Sequence, residues 1–109
     1  MINRAAMVVR PLRPFLDWAR SMNGGVELED YEREPNVYLV PEIESDQEEH
    51  EMLLKLYPTV FEKQLSEYET TQGRWPKDRS LLVFMSWFKI EVFSLVEDLC
   101  SYPIATEEM

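Results

Sequence analysis

Apolar and polar positions alternate along this chain in short blocks, each closed by proline or glycine. Ala5-Ala6-Met7-Val8-Val9-Arg10 is a β-favouring run that stops at Pro11, because proline has no N–H for a ladder and biases its predecessor toward extended backbone. A strand is predicted at 5–10. Pro14 suits the first position of a helix, and Phe15, Trp18, Ala19 and Met22 follow it at spacings of three and four, which gives an amphipathic helix at 14–22. Asn23-Gly24-Gly25 supplies its left-handed stop.

Residues 26–35 are rich in Glu and Asp and read as a connecting loop with room for one helical turn. Val37-Tyr38-Leu39-Val40 is apolar at successive positions. That pattern fits a strand at 36–41 that is covered on both faces or central in its sheet. Ser45-Asp46-Gln47-Glu48 matches a capping box, with Ser45 accepting from the Glu48 amide and Glu48 reaching back to the Ser45 amide. A helix is expected at 46–56, broken at Tyr57-Pro58, with a second at 58–69 burying Phe61, Leu65 and Tyr68.

Leu81–Val96 is almost continuously apolar, so period and composition must divide it. Asp78 or Ser80 can cap a helix at 79–88, and alternation of Ile90, Val92, Ser94 and Val96 with Glu91, Phe93, Leu95 and Glu97 gives a strand at 90–98. The sum is an α+β domain spanning 1–109: a small three-stranded sheet packed by about four helices as a two-layer sandwich. Fraying is expected after Pro103.

Several of these fragments, taken together, have a familiar look. Asn3-Arg4-Ala5, Pro14-Phe15-Leu16-Asp17-Trp18, Val37-Tyr38-Leu39-Val40-Pro41-Glu42, Trp75-Pro76-Lys77, and Trp87-Phe88 followed by Glu91-Val92 occur in that order. In this the chain resembles a group of small bacterial proteins of about the same length, with no settled activity. The resemblance covers most of the chain and implies a bacterial cytosolic protein. Members often carry His at the position of Phe93, so chemistry resting on that histidine is not carried over.

Charge changes the picture next. The chain has a net charge of -10, yet residues 1–25 hold Arg4, Arg10, Arg13 and Arg20 against Asp17 alone, whereas residues 26–69 hold fourteen acids against three bases. Such a surface repels phosphate backbones, so no nucleic-acid partner is expected. No run reaches the roughly 18 apolar residues of a membrane span, the start lacks a signal-peptide pattern, and the lone Cys100 cannot form an internal disulfide. A cytoplasmic location without membrane contact is the expectation.

Catalytic motifs are missing. His50 is the single histidine, Asp46 lies four residues before it, and the pattern is not His-Glu-x-x-His, so these two are weak metal candidates and a solvated helix face is the simpler reading. Cys100 stands near Glu97 and Asp98, which disfavour its thiolate. Gly24, Gly25 and Gly73 form no phosphate loop, and no cofactor is expected.

Contact surfaces remain. Arg4, Arg10 and Arg13 cluster around the first strand and the start of the first helix, where an anion or a partner carboxylate could dock; the simpler reading pairs them with the chain's own acidic middle. Trp75, in a loop among charged residues, is expected to be an exposed aromatic contact. A non-enzymatic binding or regulatory protein acting through protein contacts, self-association to a homodimer included, is favoured. One alternative is a small-ligand binder or enzyme whose site is built from arginines and carboxylates. Another is an acidic nucleic-acid mimic using Glu42, Glu44, Asp46, Glu48, Glu49 and Glu51.

Overall fold

Ala5, Met7 and Val9 lose all exposure to solvent, while Arg4, Ala6, Val8 and Arg10 between them keep some, and this two-residue alternation organises the fold. The computed structural model describes residues 1–107. Its elements are β1 (Arg4–Pro11), α1 (Arg13–Met22), β2 (Asn36–Pro41), α2 (Asp46–Ser66), α3 (Leu81–Trp87) and β3 (Phe88–Phe93), with 3-10 turns at Asp30–Arg33 and Gln72–Arg74. The three strands form one antiparallel sheet in the order β2-β1-β3. The α+β class is as expected, with three α-helices rather than about four.

The expected break at Pro58 is the source of that difference, because α2 runs through the proline as one helix of 21 residues. Pro58 withholds one N–H from the Leu54 carbonyl, a substantial local penalty. However, Met52 before it and Val60, Phe61, Gln64 and Leu65 after it are buried along one side. Packing of both halves against the same core outweighs the missing bond, and Leu54 is exposed, so water can reach its side of the helix.

The start of α2 follows the capping expectation in one half only. Ser45 Oγ accepts from the Glu48 N–H at 3.1 Å, but the Glu48 carboxylate takes the N–H of Glu44 at 2.9 Å instead of that of Ser45. The helix N-terminus is still closed on both sides.

The apolar run near the C-terminus divides as predicted into helix then strand, at shifted bounds. Ser80 caps α3 by accepting from the Val83 N–H, and β3 starts at Phe88, with no loop between the two elements. The strand ends at Phe93 rather than 98. Beyond it the Ile2 N–H donates to the Val96 carbonyl at 3.0 Å, and no further helix or strand occurs up to Glu107.

All three helices contribute to the layer that covers one side of the sheet. Phe15 of α1, Phe61 of α2, Phe84 of α3 and Phe88 of β3 are buried together with Met7, Val9 and Leu65. The rings of Phe15 and Phe88 lie 4.8 Å apart, and those of Phe84 and Phe88 lie 5.2 Å apart, distances at which aromatic pairs add to the burial of their area. Among the described residues, every buried side-chain nitrogen or oxygen has a partner. Gln64 is the buried polar residue, and its Nε2 donates to Asn36 Oδ1 at 3.0 Å and Tyr38 Oη at 2.8 Å, tying α2 to β2.

Candidate functional site

The other side of the same sheet is open. Antiparallel registry sets Ala6 between Leu39 on β2 and Phe93 on β3, and sets Val8 between Val37 and Glu91. Val37, Leu39 and Phe93 are 61%, 49% and 51% exposed. With small Ala6 between two large neighbours, the first row forms a shallow apolar trough across all three strands. Contiguous exposed apolar side chains of this kind mark contact surfaces more often than isolated ones do.

β2 is therefore an edge strand with one covered face, not the central or doubly covered strand that its apolar run predicts. Tyr38 and Val40 point to the core, and Val37 and Leu39 point outward. Pro35 and Pro41 bracket this edge, and prolines blunt strand-on-strand pairing. The face, more than the edge, is the available surface.

Its charged border comes from Arg4, Arg10, Lys89 and Glu91. Arg10 and Lys89 are opposite each other across β1 and β3, and the Arg10 guanidinium lies 3.7 Å from the Glu91 carboxylate. Arg4 is at the far end of β1, six residues away, or about 20 Å of extended chain. Its Nη1 donates to the Asn3 carbonyl at 2.8 Å. A hollow of about 470 Å³ opens here, lined by Asn3, Arg4, Leu39, Val40, Pro41 and Glu42.

Arg13 does not join Arg4 and Arg10. It opens α1 and sits 3.9 Å from Asp17 one turn on, at the rim of a separate hollow of about 290 Å³. Within that hollow Glu27 takes Arg20 and Arg33 together, each at 2.9 Å. Both guanidinium groups are engaged by that one carboxylate, and with the Arg13–Asp17 pair the hollow carries three bases against two acids. The pairs of Arg10 and Arg13 are with Glu91 and Asp17, both outside the acidic middle segment.

Trp75 is a clear correction to the expectation of an exposed aromatic. It is only 8% exposed, its indole N–H donates to the Glu69 carbonyl at 2.6 Å, and Arg79 stacks over its ring at 5.6 Å. The ring belongs to the buried core, and the flanking Arg74, Lys77, Asp78 and Arg79 that suggested exposure are themselves the exposed residues.

His50 and Asp46 are neighbours one turn apart on the exposed side of α2. Among the described residues no group of three or more metal-ligating His, Cys, Asp or Glu side chains exists. Cys100 is exposed in the segment after β3, where its N–H donates to Asp98 Oδ1 at 2.8 Å. Sequence reasoning missed Val37, Leu39 and Phe93 as site residues, although one signal was available for β2, whose outward Val37 and Leu39 are as apolar as its inward positions.

A third, smaller cleft of about 180 Å³ lies between the Asp30–Arg33 turn and the end of α2. Tyr68 lines it with Glu32, Glu34 and Glu67. Partial burial, and then the carboxylate of Glu32, push the Tyr68 hydroxyl up to about 12, so it stays protonated at neutral pH. Burial also raises Tyr38, against the opposing hydrogen bond from Gln64. These tyrosines act as fixed neutral donors or acceptors and offer no base near pH 7.

Among the described residues no helix is long and apolar enough to cross a membrane. No family model, curated protein or solved structure matches this chain.

Proposed function

We propose that the chain is a non-enzymatic cytosolic binding protein that works through protein contacts, with the outer face of the β2-β1-β3 sheet as its contact surface. One observation carries this reading: a row of large apolar side chains, Leu39 and Phe93 flanking Ala6, lies half exposed on a rigid sheet while the helices cover the opposite face. Sheets place such side chains at fixed spacing, which makes the surface pre-organised and lowers the entropy lost on docking. Apolar centres with arginine at the border are also the usual anatomy of a protein interface.

The test is the Leu39→Lys plus Phe93→Lys variant, followed by native mass and sedimentation with and without clarified cell extract. The wild-type chain is expected in a complex of defined stoichiometry. The variant is expected to run as a single 13.0 kDa chain with unchanged far-UV circular dichroism and cooperative melting. A wild-type chain that remains a 13.0 kDa monomer in both conditions, or a variant that keeps the wild-type complex, refutes the reading.

A further inference from the structure

The segment after β3 presents another run of uncovered apolar groups. Leu95, Leu99, Tyr102 and Ile104 are all more than two-thirds exposed. Residues 94–109 contain the acids Glu97, Asp98, Glu107 and Glu108 and no base. The outer sheet face has the converse character, being apolar at Leu39, Ala6, Phe93, Val37 and Val8 and bordered by the three bases Arg4, Arg10 and Lys89 against Glu91 and, at the Arg4 hollow, Glu42. In a chain of net charge -10, most surfaces of two copies repel each other. This face and this segment attract.

The two surfaces are both open within one chain. The radius of gyration is 15.3 Å, above the about 13 Å of a fully packed chain of this length, as expected when a terminal segment stands away from the body. The Ile2–Val96 hydrogen bond fixes where the segment leaves the sheet. From Glu97 to Glu107 it can extend about 35 Å, more than the length of β1. A two-fold axis lets each copy lay its segment on the other's face, so that one arrangement satisfies both uncovered surfaces twice.

We propose that residues 97–107 of a second copy cover the outer sheet face, reciprocally, in a homodimer; this rests on the reading of that face as a contact surface and names its occupant. The apolar residues of the segment enter the trough over Ala6 and the hollow beside Arg4 and Leu39, and Glu97 and Asp98 approach the border set by Arg4, Arg10 and Lys89.

Cys100 makes the proposal testable. A Leu39→Cys/Cys100→Ser variant carries one thiol, on the face, and the natural chain carries one, on the segment. Under mild oxidation, a mixed disulfide between the variant and an isotope-labelled natural chain therefore reports face-to-segment contact, apart from the homo-linked products of either chain. The mixed disulfide, at twice the 13.0 kDa chain mass and identified by its single labelled chain in mass spectrometry, is expected several-fold more abundant than with a Val26→Cys/Cys100→Ser control, whose cysteine is exposed but off the face. Leu99→Asp plus Ile104→Asp should weaken dimerisation, read by sedimentation, by at least ten-fold. Linkage no greater than the control overturns the proposal. So does a fast-running monomer from Leu39→Cys with Cys100 retained, which would mean that the chain's own segment covers its face. If these fail while Leu39→Lys plus Phe93→Lys still releases a different protein from the wild-type chain, the occupant is wrong and the contact face stands; if that variant changes nothing either, both fall.

Discussion

Both faces of the one three-stranded sheet carry large apolar side chains, yet only one of them is covered. Ala5, Met7, Val9 and Phe88 on the inner face are fully buried beneath the helices, whereas Val37, Leu39 and Phe93 on the outer face meet solvent. Both rows come from the same strands, and the outer one differs in carrying Arg4, Arg10, Lys89 and Glu91 at its border. Apolar content therefore says that a face seeks cover, and the rest of the chain decides whether its own helices supply it.

The contrast can be broken by mutation, and the largest effect belongs to the inner side. Phe61→Ala should destabilise by about 3 to 5 kcal/mol in urea denaturation, because it empties the contact among Phe84, Phe88 and Trp87. A loss under about 1 kcal/mol would mean that the inner layer is loosely packed and the two faces less different than drawn. Gln64→Leu should cost about 1 to 2 kcal/mol, since it removes both side-chain bonds between α2 and β2; thermal melting reads this.

Tyr68 sharpens the comparison through pH. Its hydroxyl is raised from 10.0 to about 12, so above pH 10 the unfolded chain loses this proton before the folded one does. The associated stability is full below pH 10 and falls as pH rises toward 12. Tyr68→Phe should flatten part of that fall in melting temperature, with Tyr38, also raised, accounting for a remainder. An unchanged alkaline profile would exclude Tyr68 as its source.

The smallest effect should be on the outer face. Leu39→Ala, measured where the chain is monomeric, should change stability by less than about 0.5 kcal/mol. A core-sized loss there would show that something within the chain already covers the face.

Much of the fold could be read from residue order. Pro11, Pro41, Gly24 and Ser45 punctuate elements where local geometry alone decides, and those bounds came close. Pro58 misled because a local penalty was set against non-local burial of Met52 and Phe61, which periodicity cannot weigh. Val37–Val40 and Trp75 misled for a related reason. The run at β2 records that both faces are apolar without recording which elements lie over them, and Trp75 is buried although Arg74, Lys77, Asp78 and Arg79 around it are exposed. The trough itself could not be assembled while the order β2-β1-β3 was unknown, since only that order sets Leu39 and Phe93 on either side of Ala6.

The direct passage from Trp87 in α3 to Phe88 in β3 has a consequence for how the sheet finds its alignment. With no loop to take up slack, a slip of one residue at this boundary would turn Phe88 out to solvent and drive Lys89 under the helices. Every later side chain of the strand would be inverted with it. The junction thus acts as a register lock, fixing at one peptide bond which side of β3 becomes core and which side is left facing outward.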